Sequence, residues 1–83
     1  MRSKPHPSEL ATGVASEVRA EMARQRLSQG AVADRMGVSQ AAISRRIVGQ
    51  VPFDLVDLAK IADVLGLTPT ALIERAEHLA AAA

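Results

Sequence analysis

The sequence predicts an all-α fold, one compact bundle of about five helices, and three observations carry that prediction. Apolar residues recur at helical spacing along most of the chain, and no segment alternates with the period of a strand. Helix-stop and helix-start residues separate the apolar segments, with Gly37 ahead of Ser39 and Gly66 ahead of Thr68-Pro69. Hydrophobic residues make up 48% of the chain, yet Phe53 is the single aromatic, so the core has to be built from Ala, Val, Ile, Leu and Met. Such side chains suit close helix packing. A chain of 83 residues can bury one small core, which gives one domain.

The segment from Met1 to Ser8 holds Arg2, Lys4, His6 and two prolines and reads as a flexible arm, because proline disfavours helix. It has no apolar run and is not a secretory signal. The folded domain is expected over residues 9–80, with 81–83 as a tail. Helix one is expected over about Glu9 to Arg26: Ser8 can cap it, and Val14, Val18 and Met22 share a face. Gly13 weakens its start, which predicts that the first turn and a half fray or form a separate element. Ser28 caps a second helix, Gln29 to Met36, with Ala31, Val32, Ala33 and Met36 inward and Gly37 as its stop. Ser39 caps a third helix from Gln40 to near Gly49. Asp54 starts a fourth, Leu55 to Leu65, with Leu55, Leu58, Ala62 and Leu65 as its stripe. Thr68 and Pro69 start the fifth, whose apolar side is Leu72, Ile73, Ala76 and Leu79.

The net charge of +1 conceals a division: residues 1–50 hold eight Lys/Arg against four Asp/Glu, and residues 51–83 hold two against five. A basic half of this kind suits a polyanionic partner. The chain has no Cys, so neither a disulfide framework nor a thiolate metal site holds the fold. His6 and His78 lie at opposite ends of the sequence and do not suggest a shared metal. No cofactor is expected. No phosphate loop, nucleophile elbow or paired catalytic constellation occurs, and the reading is that the protein is not an enzyme and takes no small-molecule substrate. No stretch approaches the roughly 18 apolar residues of a membrane span, which predicts a soluble, cytoplasmic protein with no membrane partner.

Helices two and three, joined by a short turn headed by Gly37, match a helix-turn-helix arrangement. The run Leu27-Ser28-Gln29, Val32-Ala33, Met36-Gly37-Val38-Ser39-Gln40-Ala41-Ala42-Ile43-Ser44-Arg45 and Gly49 resembles the helix-turn-helix family of phage repressors, Cro proteins and XRE-type bacterial regulators. The resemblance extends over roughly Val18 to Ile73. It implies a lambda repressor-like fold, with the helix at about 40–48 lying in the major groove of double-stranded operator DNA. Burying Ile43 and Ile47 turns Gln40, Ala41, Ser44, Arg45 and Val48 outward, the face that reads bases in that family. Gln suits adenine, Arg suits guanine, and Ala can approach a thymine methyl. Gln29, at a helix start, suits a phosphate. Ser39 and Gln50 flank the reading helix and complete the candidate set, and Arg46 is expected on phosphate. Arg46 occupies a place where many members carry an aliphatic residue, which here moves to Ile47 and leaves the orientation of the last helical turn open.

These features predict a sequence-specific transcriptional regulator, acting in a bacterial cell or phage-infected host as a homodimer on an inverted repeat. It would be a simple binder or the DNA-binding piece of a longer repressor. Two alternatives stand beside it: the antitoxin of a toxin–antitoxin pair, and a helical protein-interaction module.

Overall fold

Each helix begins where a side chain can accept from the free backbone N–H groups of its first turn. The computed structural model describes residues 4–82 and contains α1 (Pro7–Gln25), α2 (Gln29–Met36), α3 (Gln40–Ile47), α4 (Leu55–Leu65) and α5 (Pro69–Ala82). Ser28 Oγ accepts from Ala31 N–H at 3.0 Å, Ser39 Oγ from Ala42 N–H at 3.1 Å, Asp54 Oδ1 from Asp57 N–H at 2.7 Å and Thr68 Oγ1 from Ala71 N–H at 3.0 Å. Gly37 (φ 72°) and Gly66 (φ 73°) end α2 and α4 in the left-handed conformation, which costs glycine no side-chain clash.

The start of α1 differs from expectation. Ser8 lies inside the helix and His6 is the cap: its Nδ1 accepts from Ser8 N–H at 3.1 Å while Glu9 accepts from His6 N–H at 3.0 Å. Pro7 fits the first helical position, where its missing N–H costs nothing. Arg2 and Ala83 lie outside the described residues. At its other end α1 closes on Arg26, a non-glycine residue at φ 56°. Helix α3 also ends earlier than expected, at Ile47, because the chain turns at Gly49 (φ 87°) with Gln50 N–H bonded back to Arg45 C=O at 2.9 Å.

The core draws Val14, Val18 and Met22 from α1, Val32, Ala33 and Met36 from α2, Ile43 and Ile47 from α3, Leu58, Ile61, Ala62 and Leu65 from α4, and Leu72 and Ala76 from α5. Leu72 and Ala76 therefore belong to the core of the chain itself. Leu55, expected in the α4 stripe, is 81% exposed, since it occupies the first position of the helix and Ile61 takes its place inside. Ala31 is half-buried rather than inside.

α1 runs unbroken through Gly13, which is buried. A Cβ there would stand 3.2 Å from Ala76 Cβ and 3.3 Å from its carbonyl oxygen, so the glycine lets α1 and α5 approach closely. Ala33 in α2 is 2% exposed and belongs to the core. Ala33→Leu is expected to destabilise the domain by about 1–3 kcal/mol through overpacking. A thermal melt equal to that of the unaltered protein would contradict this.

One polar cluster fastens α1 to α4 and α5. Glu21 accepts from Gln25 at 3.1 Å, from Arg75 at 2.9 Å and from Arg24 at 3.2 Å, and Gln25 also donates to Leu65 C=O at 2.7 Å at the end of α4. The hydrogen bond from Gln25, then those from Arg75 and Arg24, hold the Glu21 carboxyl down at about 2, against an ordinary 4.5, with burial opposing them. A carboxylate depressed in the folded state adds stability that is complete above the unfolded value and is lost as pH falls toward the folded one. The melting temperature is therefore expected to drop between about pH 5 and pH 2, and Glu21→Gln to flatten part of that drop. Parallel melting curves for the two proteins across that range would show that Glu21 contributes nothing.

Candidate nucleic-acid interface

Two buried isoleucines decide which way α3 faces. Ile43 and Ile47 are each 1% exposed and anchor the helix on the core. Opposite them, Gln40, Ala41, Arg45 and Val48 are exposed, as expected, and Ala42 joins them. Among the described residues the Arg45 guanidinium has no hydrogen bond or ion pair within the protein, and the residue is exposed.

The last turn of α3 is fixed from two sides. From α1, Arg19 donates to Ile47 C=O at 2.7 Å, placing a cation at the helix C-terminus, where unpaired carbonyls favour it. From α4, Asp57 Oδ2 lies 3.1 Å from Arg46 Nε, and Arg46 also donates to Ala42 C=O at 3.0 Å. The Arg46–Asp57 contact is an ion pair without an aligned hydrogen bond, since the buried Nε–H has no acceptor in line. Moving the aliphatic residue to Ile47 thus leaves the turn intact: Ile47 goes inside and Arg46 lies half-buried along α4.

The remaining candidates divide between the two helices. Ser39 spends its hydroxyl as an acceptor on the α3 cap. Ser44 is half-buried, and its hydroxyl donates to Gln29 Oε1 at 2.6 Å, joining the middle of α3 to the first residue of α2. Gln40 lies over the same turn of α2, with its Oε1 3.3 Å from where a Cβ on Gly30 would be. The structure therefore brings Gln29, Gln40 and Ser44 together, with Arg45 on the adjoining surface, and leaves Gln50 exposed beyond the turn at Gly49. Arg19 and Asp57 are structural partners of the site that the sequence reading missed. They act 28 and 11 residues away from their α3 partners, and no local motif marks them.

A short helix, a turn of Gly37, Val38 and Ser39, and a second short helix packed across the first define a helix-turn-helix inside an all-helical bundle. The chain belongs to the XRE-type helix-turn-helix family, whose model matches residues 18–72. Its fold is similar to that of the clp gene regulator ClgR from Corynebacterium glutamicum, with a TM-score of 0.79 at 19% identity over 87% of this chain and 77% of that one. It is similar also to the hypothetical transcription factor NHTF from Neisseria, with a TM-score of 0.72 at 20% identity over 88% of this chain and 82% of that one. Apo-HppE matches with a TM-score of 0.65 at 25% identity, over 75% of this chain but 35% of its own length. No curated protein sequence matches significantly.

Proposed function

We propose that the chain is a sequence-specific transcriptional regulator of phage-repressor or Cro type that lays α3 in the major groove of operator DNA. The observation that carries this reading is Arg45: an unpaired guanidinium on the exposed face of a helix held by Ile43, Ile47 and Arg19. Arg in such a position can donate two hydrogen bonds to guanine, while Gln40 and Ala41 beside it suit adenine and a thymine methyl. Gln29 at the start of α2 anchors a backbone phosphate. Arg46 serves α4 first, through Asp57, and its role toward phosphate is secondary.

The reading includes a homodimer on an inverted repeat, because one short reading helix gives limited affinity and a two-fold axis sets two copies about 34 Å apart. Of the α5 apolar side, Leu79 is 47% exposed and Ile73 is half-buried against the core, so Leu79 is what α5 offers a partner. Among the described residues no helix is long and apolar enough to cross a membrane.

Selection of bound sequences from random duplex DNA tests the proposal. A recovered motif with two-fold symmetry, bound with affinity that falls steeply as salt rises, is the expected result. Recovery of no motif, with binding insensitive to salt, would favour a protein-interaction module instead.

A further inference from the structure

We propose that Ser44 is a positioning residue for Gln29 and not itself a reader of bases. The inference rests on the DNA-binding reading above. An amide oxygen can only accept, so in the 2.6 Å contact the Ser44 hydroxyl spends its single proton on Gln29 Oε1. That fixes which end of the planar amide meets α3. The Nε2 end is left on the other side of the amide carbon, and among the described residues it has no protein partner.

The surroundings make this orientation useful. In the first turn of α2, Ala31 N–H is taken by Ser28 Oγ, while among the described residues the N–H groups of Gln29 and Gly30 have no acceptor. Two backbone donors and an amide N–H pair preset by Ser44 make a set suited to an anionic phosphate oxygen. Gln40 covers the neighbouring Gly30 from the α3 side, which keeps the turn from being open to α3. A long glutamine side chain held before binding loses less rotamer freedom on binding, so Ser44 strengthens a contact that it does not make.

The role predicts coupling without sequence preference. Ser44→Ala should fold normally, because alanine is a better helix former than serine. Its affinity should fall roughly threefold to tenfold, the ordering cost of one long side chain, and by the same factor on a duplex selected by the unaltered protein and on a scrambled duplex of equal composition. In a Gln29→Ala background the same substitution should have no further effect. In the free protein, Ser44→Ala should shift the Gln29 side-chain amide resonances, a change that a base-reading serine would not require. A loss confined to one base pair of the selected site, an equal loss in the Gln29→Ala background, or unchanged affinity would each overturn the proposal. Absence of salt-dependent binding by the unaltered protein would instead overturn the DNA-binding reading, and the positioning role with it.

Discussion

Ile47→Ala is expected to remove about 2–5 kcal/mol of stability, the range for emptying a fully buried aliphatic position. Ile47 is 1% exposed and lies in the last turn of α3, so the cavity opens under the end of the helix that carries Arg45. Small domains hold few kcal/mol in reserve, and the loss should leave a sizeable unfolded fraction at physiological temperature. The Arg19 hydrogen bond accepts no relief from this change: its acceptor is the main-chain carbonyl of residue 47, which alanine retains but cannot anchor by itself. Urea denaturation gives the measurement. A loss below about 1 kcal/mol would mean that the neighbouring side chains close the space and that Ile47 is not an anchor.

Arg45→Ala is expected to act on binding and leave stability unchanged. The side chain is exposed and, among the described residues, makes no hydrogen bond or ion pair, so its removal breaks no polar interaction of the fold. If it grips guanine, the variant should lose about 1–3 kcal/mol of affinity for the selected duplex and lose preference at one base pair per half-site. Competition between single-base variants of that duplex gives the readout. Equal losses on every duplex would place Arg45 on phosphate and remove it from base reading.

Much of this architecture is legible in the sequence, because each helix boundary carries a residue with a local reason to be there. Ser28, Ser39, Asp54 and Thr68 cap through contacts three residues ahead, and Gly37 and Gly66 stop helices through their own backbone conformation. The exposed face of α3 follows in the same way from the spacing of Ile43 and Ile47. What escapes is non-local. Gly13 reads as a weak point in α1 and is a seat for Ala76, 63 residues on. Leu55 has the right period for the core but sits at the start of its helix, where it is exposed. His6 caps with a ring nitrogen, a use outside the common set of cap residues. Ser44 faces outward by periodicity and is drawn into the contact with Gln29 across the turn.

The clamp that Arg19 places on α3 has a consequence for how such a protein diverges. It holds a peptide carbonyl, which every residue type supplies, and the side chains beneath it are isoleucines on the inner face. Gln40, Ala41 and Arg45 bear none of that load. Their identities can be exchanged without displacing the helix, so a new set of preferences can be written onto an unchanged scaffold by substitutions at those positions alone. Duplicated copies of such a gene could drift apart in what they recognise while every intermediate remained folded.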